Sequence, residues 1–385
     1  ARRARNIADD GRCAAGHPLS SPMDTRVARI SIVLLVACAL ACGCRHETVL
    51  VDTPRVMVGD AGRTVYDAVP ERLRTPDIPV VYFTDRRDRA LDGGEPGAMP
   101  DYGSERSQDI SFGVARVGLS PEPTWARLVE DSTSRDRDRG YALRVESVER
   151  TGTIASLEGR LRVRNGEVVY PAHASAAFAQ DLADFEATLE PYLTDGPEGN
   201  EAIVFVHGFN NTFEDAIVRL GQTWHAAGRH GIPIAFTWPA GFDAFIPPVA
   251  YNRDRESGEF SVLQLKTLLM ALAANEDIDR IHLVAHSRGT DVATTALREI
   301  AAEIEAAQGR TFFSQRTRQA LGEAIEFTEP DLAGSVRPSA VLKLGALVLV
   351  APDLDIDIFT QRFLSERVMR IARRVVVYTS SRDGA

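Results

Sequence analysis

Apolar runs alternate with amphipathic segments along much of this chain. In the second half, runs rich in β-branched residues predict strands, and the segments between them carry apolar residues at helical spacing. The strands predicted there are 202–206, 233–238, 281–285, 344–350 and 375–379. Strands that alternate with helices are typical of a parallel sheet with crossover helices. We therefore predict an α/β fold with a mainly parallel, doubly wound sheet.

The first half has a different pattern. Strands are predicted at 79–84, 110–119 and 141–148, and a loop rich in Gly, Asp and Pro separates the first two. The dipeptide Asn165-Gly166 stands between two short apolar runs and predicts a two-residue hairpin. An amphipathic helix over 176–193 then leads into the alternating half.

One serine stands between a predicted strand and a predicted helix. The sequence Ala285-His286-Ser287-Arg288-Gly289 closes the strand 281–285 and precedes a helix that begins near Asp291. Small residues two places before and after the serine are what a nucleophile elbow needs, a tight turn that exposes a serine hydroxyl above a sheet edge. The pentapeptide alone is equally compatible with a serine in an ordinary turn.

A second strand end supports the elbow. The strand 202–206, about eighty residues upstream of the serine, ends in His207-Gly208-Phe209-Asn210. A strand that closes on His-Gly supplies the other half of the oxyanion hole in hydrolases that use such an elbow. We therefore predict Ser287 as the nucleophile and the backbone N–H groups of Phe209 and Arg288 as the oxyanion donors.

A serine nucleophile also needs a base and an acid. Asp383 follows the last predicted strand, the usual position of the acid, and Asp353 follows the strand before it. We favour Asp383 and keep Asp353 as the alternative acid. Because no histidine follows His286, we expect the catalytic histidine, with one more strand and helix, to lie beyond the end of this chain. We therefore expect the 385-residue chain to be inactive or severely impaired.

The segment after the strand 233–238 carries the candidate substrate contacts. It leaves the sheet at the same edge as Ser287, is apolar and contains several prolines. Trp238, Phe242 and Tyr251 are predicted to form a wall for an acyl or aryl group, which favours a carboxylic ester, small or lipid-like, as substrate. Simple packing of a surface loop explains the same pattern equally well.

Composition narrows the set of partners. The net charge is −10, and no basic stripe with interleaved aromatic residues is present, which argues against nucleic acid as a partner. All four cysteines lie within the first 44 residues, and the histidines lack the spacing of metal ligands. We therefore expect neither a metal nor another cofactor.

The N-terminal region has the form of an export signal. A basic stretch that begins at Met23 precedes the apolar run 30–41, which is too short to span a bilayer. The cysteines nearby favour a lipoprotein signal, with Cys38 or Cys44 as the lipidated residue that tethers the protein to the membrane in the bacterial cell envelope, facing the periplasm. A plain signal peptide is the alternative. The predicted boundaries are 1–44 for upstream residues and signal, 45–75 for a tether, and 76–385 for an incomplete catalytic domain.

Six short blocks point to one family. They are Tyr82-Phe83-Thr84-Asp85-Arg86, Ser111-Phe112-Gly113-Val114, Phe205-Val206-His207-Gly208-Phe209-Asn210-Asn211, Phe236-Thr237-Trp238-Pro239, Ala285-His286-Ser287-Arg288-Gly289 and Ala351-Pro352-Asp353. Together they resemble a family of poorly characterised bacterial esterase/lipase-like α/β-hydrolases, over roughly residues 78–385. The resemblance implies an α/β-hydrolase fold with Ser287 as nucleophile and says little about the substrate. We expect the chain to depart from the family in lacking a C-terminal segment and in having a long insertion before Ala340.

Two functions are compatible with these features. The first is a carboxylester hydrolase of the cell envelope that acts through an acyl-enzyme on Ser287. The second is a non-catalytic, envelope-tethered protein that kept the scaffold in order to bind a partner. Reaction of Ser287 with a serine-directed probe distinguishes the two.

Overall fold

A computed structural model of the protein describes residues 48–54, 64–92, 98–134, 140–156, 162–164, 167–169, 172–194, 199–241, 247–307, 338–365 and 368–379. Within these residues the strands are β1 (Ile78–Asp88), β2 (Tyr102–Ser120), β3 (Ala142–Ile154), β4 (Arg162–Arg164), β5 (Glu167–Val169), β6 (Glu201–Val206), β7 (Ile232–Thr237), β8 (Arg280–His286), β9 (Leu344–Val350) and β10 (Arg374–Tyr378). The helices are α1 (Trp125–Thr133), α2 (Ala172–Leu189), α3 (Phe213–Ala226), α4 (Pro247–Phe260), α5 (Val262–Ala274), α6 (Gly289–Ala307), α7 (Pro338–Val341) and α8 (Ile356–Thr360).

Eight of these strands form one sheet in the order β10-β9-β8-β6-β7-β1-β2-β3. The six strands from β10 to β1 run parallel to one another, whereas β2 and β3 are antiparallel to their neighbours. Strands β4 and β5 form the predicted hairpin, with Arg164 opposite Glu167. The predicted α/β fold with a mainly parallel sheet is confirmed. Because parallel strands end at one edge, the residues after β1, β6, β7, β8 and β9 meet there.

The apolar composition of the parallel strands explains why they lie in the buried part of the sheet. Strands β6, β7 and β9 are nearly continuous apolar runs, and all four strands from β6 to β9 are buried along almost their whole length. Strands with this composition lie between helices that cover both faces. Helix α3 starts where it does because the Thr212 hydroxyl accepts the Asp215 N–H at 3.1 Å, while the Asp215 carboxylate accepts the Thr212 N–H at 2.9 Å.

The described part of residues 45–75 differs from the predicted tether. Val49 pairs with Ala142 at the start of β3, and the Thr53 N–H donates to the Ser132 carbonyl at 3.0 Å. The apolar side chains that join the hydrophobic core are Leu50, Tyr66, Val69 and Leu73. These four are spaced too irregularly to predict an element, but their burial makes this segment part of the domain. The boundary at residue 76 stays a prediction.

Other predictions fall outside the described residues. They include the export signal with Cys38 and Cys44, the candidate substrate contact Phe242, and the candidate acid Asp383. Among the described helices, none is long and apolar enough to cross a membrane.

Candidate active site

Ser287 lies in a tight turn between β8 and α6. Its φ angle is 50°, in the left-handed region that residues with a Cβ adopt only at a cost in energy. The Ser287 N–H donates to the Val350 carbonyl at 2.9 Å. The Ser287 carbonyl in turn accepts the Thr290 N–H at 3.0 Å and the Thr290 hydroxyl at 2.7 Å. These bonds hold the half-buried serine in its strained conformation at the carboxyl edge of the sheet.

Two glycines let this elbow pack against the end of β6. A Cβ on Gly289 would lie 2.3 Å from the His207 carbonyl oxygen and 2.7 Å from that of Val206. A Cβ on Gly208 would lie 2.9 Å from the Cβ of Ser287. Real Cβ atoms essentially never approach another atom this closely. The backbone of Gly208 therefore passes directly beside the serine, which a larger residue would prevent.

The two predicted oxyanion donors stand next to this contact. Phe209 follows Gly208 in the chain, and Arg288 follows Ser287. Within the part of the chain that the structure describes, neither of their backbone N–H groups has a hydrogen-bond acceptor. A developing oxyanion requires amides without acceptors, and here one directly follows the serine and the other follows the glycine that packs against it.

Strained backbone is concentrated at this edge. Asn210 after β6, Ser287 after β8 and Ala351 after β9 have φ angles of 55°, 50° and 44°. Such conformations of non-glycine residues cost about 1–3 kcal/mol each and cluster at functional sites. Since β6, β8 and β9 are neighbours in the sheet, the three residues mark one continuous site.

His207 forms its hydrogen bonds at the loop after β6 that carries Phe209, here called the oxyanion loop, and does not act as a base for Ser287. Its ring is completely buried, and Nδ1–H donates to the Gly208 carbonyl at 2.9 Å. The other nitrogen, Nε2, lies 3.3 Å from Nη2 of Arg86, and because arginine only donates, Nε2 is the acceptor. Burial, followed by the charge of Arg86, lowers the pKa of His207 well below its usual value. The ring is therefore neutral at pH 7, with both nitrogens occupied.

Trp238, a predicted substrate contact, is enclosed by its neighbours. Its side chain is completely buried, and its ring stacks on that of His207 with centroids 5.1 Å apart and an angle of 6°. The indole N–H donates to the His207 carbonyl at 2.7 Å. Because these contacts enclose the indole, Trp238 packs against the oxyanion loop and presents no surface to a substrate.

Arg86, which the sequence did not single out, is buried under the same loop. Its guanidinium donates to the carbonyl oxygens of Gly103 at 2.8 Å, Ala240 at 2.9 Å and Asn211 at 2.9 Å, in addition to His207. Burial lowers the pKa of Arg86 to about 10, so the group stays charged at neutral pH. One side chain from β1 thus holds the loops after β6 and β7 and the start of β2.

Tyr251 lies beside the oxyanion loop. Its ring centroid is 5.4 Å from that of Phe209, and the guanidinium carbon of Arg288 is 5.9 Å from the Tyr251 ring. The Tyr251 hydroxyl donates to Oδ2 of Asp353 at 2.9 Å, and the Asp353 N–H lies 3.4 Å from the Ser287 carbonyl oxygen. Burial, together with the Asp353 carboxylate, raises the pKa of Tyr251, so its hydroxyl remains protonated at neutral pH. The structure thus brings these five predicted site residues together.

The remaining predicted site residues, Phe242 and Asp383, are not among those described. Within the described ranges the Ser287 hydroxyl has no hydrogen-bond partner. The same ranges contain no group of three His, Cys, Asp or Glu side chains that could hold a metal ion.

Comparison with known proteins identifies the family. A family model described as "alpha/beta hydrolase of unknown function (DUF900)" matches residues 183–385. The chain belongs to this α/β-hydrolase family. The matched span runs from α2 to the end of the chain and contains Ser287, Phe209 and Arg288, but not Arg86. No curated protein and no solved structure matches the chain. Membership suggests hydrolase activity, and the reaction has to be argued from the site.

A second buried charge, Asp85, makes stability depend on pH. Its carboxylate is completely buried within β1 and accepts the Ser261 hydroxyl at 2.5 Å. Burial raises the pKa of Asp85 from 3.8 to about 7. Because the folded pKa lies above the unfolded one, Asp85 contributes stability below about pH 4 that is lost as the pH rises through 7. At about 1.4 kcal/mol per pKa unit, the loss is on the order of 4 kcal/mol.

The variant Asp85→Asn should remove this pH dependence, because the amide can still accept the Ser261 hydroxyl but carries no charge. Between about pH 4 and about pH 8, we expect the free energy of unfolding of the parent to fall relative to that of the variant. Urea denaturation at both pH values measures it. The exposed Asp277 provides a control, Asp277→Asn, that should follow the parent. Equal pH profiles for the parent and Asp85→Asn would contradict the expectation.

Proposed function

We propose that the protein is a serine hydrolase that cleaves carboxylic esters through an acyl-enzyme on Ser287. The observation that carries the proposal is the strained elbow, whose serine packs against Gly208 with the N–H groups of Phe209 and Arg288 beside it. A serine held in this way at the carboxyl edge of a sheet has little structural value, since the same turn could be closed by a less strained residue.

In the proposed reaction the Ser287 oxygen attacks the carbonyl carbon of the ester, and the serine proton passes to a general base. The carbonyl oxygen becomes an oxyanion that accepts the N–H groups of Phe209 and Arg288. Collapse of this intermediate breaks the bond to the alcohol, which leaves with a proton and gives the acyl-enzyme. Water then attacks the acyl carbon and releases the acid. Loss of one oxyanion donor typically costs about 10²- to 10³-fold in rate.

The pocket wall supports an ester with an uncharged acyl or aryl group. The rings of Phe209 and Tyr251 are half-buried next to the elbow and provide an apolar surface there. The Asp353 carboxylate already accepts the Tyr251 hydroxyl, and this use in the wall favours Asp383 as the acid of the triad, with Asp353 as the alternative. Export and anchoring through Cys38 or Cys44 stay predictions.

A fluorescent fluorophosphonate, applied to the full-length gene product, tests the proposal. We expect the probe to label the parent, and Ser287→Ala to abolish both labelling and hydrolysis of a p-nitrophenyl ester, because the variant lacks the oxygen that forms the covalent bond in the proposed reaction. The exposed Ser147 provides the control, and Ser147→Ala should react as the parent does. Labelling that persists in Ser287→Ala would contradict the assignment of the nucleophile. A folded parent that does not react would favour the non-catalytic binding protein instead.

A further inference from the structure

One side of α4 is bonded to the strand ends around the elbow. Tyr251, Asp254 and Ser257 follow one another at intervals of three residues and therefore share a face of the helix. Tyr251 bonds to Asp353 after β9, and Nε–H of Arg106 in β2 donates to the Ser257 hydroxyl at 3.1 Å. Asp254, between them, is 1% exposed. A buried carboxylate is costly unless it is well bonded, so its partners reveal what it does.

Asp254 joins two loops of the site. Its Oδ2 accepts the Asn210 N–H at 3.0 Å and the Gly241 N–H at 3.1 Å. Asn210 has a φ angle of 55°, a conformation that costs energy for a residue with a Cβ. A charge-assisted hydrogen bond to its N–H can offset that cost. Asp254 therefore holds the turn that directly follows Phe209.

Arg86 holds the same two loops by their carbonyl groups. It donates to the carbonyl of Ala240, which belongs to the same peptide group as the Gly241 N–H that Asp254 accepts. It also donates to the Asn211 carbonyl, one residue beyond Asn210. The buried positive charge of Arg86 attracts Asp254, although it attracts Asp85 and Glu214 more strongly. This attraction matters because a carboxylate near the oxyanion loop without a positive charge nearby would oppose the charge that the loop has to stabilise.

We propose that Asp254 is a positioning residue for the oxyanion hole. By taking the Asn210 N–H, it holds Asn210 in the left-handed conformation and leaves the preceding N–H, that of Phe209, beside Ser287. Asp254 itself touches no reacting atom. The proposal rests on the proposed function for its catalytic part, whereas the effect on the loop itself does not depend on activity.

The catalytic part is tested in the full-length gene product with Asp254→Ala. We expect labelling of Ser287 by the fluorophosphonate to slow by about 100-fold, as for the loss of one oxyanion donor. For a p-nitrophenyl ester, the loss should fall on kcat with KM little changed, because the donor acts on the transition state. Asp254→Asn keeps the shape and one acceptor oxygen, should lose less, and provides a second variant if the alanine variant does not fold. Ser257→Ala, one turn along the same face, is the matched control and should label at the parent rate.

Hydrogen–deuterium exchange tests the structural part without requiring activity. In Asp254→Ala, the amides of residues 210–212 should exchange at least about tenfold faster than in the parent, with a smaller increase in Asp254→Asn, whereas those of β8 should not change. If the parent is not labelled at all, the proposed function fails, and this measurement still decides whether Asp254 holds the loop. Parent-like labelling of the Asp254 variants, or parent-like exchange of the loop amides, would overturn the proposal.

Discussion

Replacing Arg86 by methionine is expected to lower the free energy of unfolding by about 3–5 kcal/mol. The variant removes the donor for three buried or partly buried carbonyl oxygens and for Nε2 of His207, and methionine can replace only the packing of the aliphatic part. Each buried acceptor left without a donor costs about 1–3 kcal/mol, although the costs do not add in full. Urea denaturation near neutral pH measures the loss.

Two further variants show whether the buried bonds of Arg86 cause this loss. Arg86→Lys keeps a charge but lacks the planar fork that reaches several acceptors, so its loss should be intermediate. Arg116→Met removes a half-exposed arginine that pairs with Asp77 at 2.7 Å, and its loss should stay below about 1 kcal/mol. A loss for Arg86→Met no larger than that for Arg116→Met would contradict the role assigned to Arg86.

The sheet could be predicted from the sequence wherever strands are buried on both faces. The predicted strand at 344–350 has the same bounds as β9, because its apolar run ends where the strand ends. Strands β1 and β2, by contrast, extend into the segment predicted as a loop. Their outer ends carry charged residues whose partners lie elsewhere in the chain, such as Asp88, which pairs with Arg150 at 2.9 Å. A local pattern cannot reveal such a pairing.

The residues of the candidate site also divide into those that the sequence predicts and those that it does not. Ser287, Phe209 and Arg288 could be named from the sequence because each lies in a short motif at the end of an apolar strand. Arg86 and Asp254 could not, since their role depends on contacts with distant segments. The acidic and basic sequence around Asp254 has no helical apolar period, and α4 lies where a loop was expected. The local signal for Arg86 is the charged pair Asp85-Arg86, which directly follows the strand predicted at 79–84.

Gly289→Ala should be the most disruptive small substitution in the site. Its Cβ would lie 2.3 Å and 2.7 Å from the carbonyl oxygens of His207 and Val206. Both are backbone atoms at the end of the central strand β6, so they cannot move aside as a side chain can. Helix α6 would have to shift away from β6, which should cost about 3 kcal/mol or more in the free energy of unfolding. Urea denaturation measures this cost, and fluorophosphonate labelling should fall with it, since the shift also separates Ser287 from Gly208.

Gly258→Ala in α4 is the matched control for this substitution. Its Cβ would meet Cγ2 of Val292 at 3.1 Å, and that methyl group ends a side chain that can yield. Alanine also favours a helix over glycine by up to about 1 kcal/mol, so this variant should be close to the parent in stability. If Gly289→Ala were as stable and as reactive as Gly258→Ala, the close approach of α6 to β6 would not be what holds the serine in place. The need for a small residue two positions after Ser287, which the sequence motif implied, would then lack a physical cause.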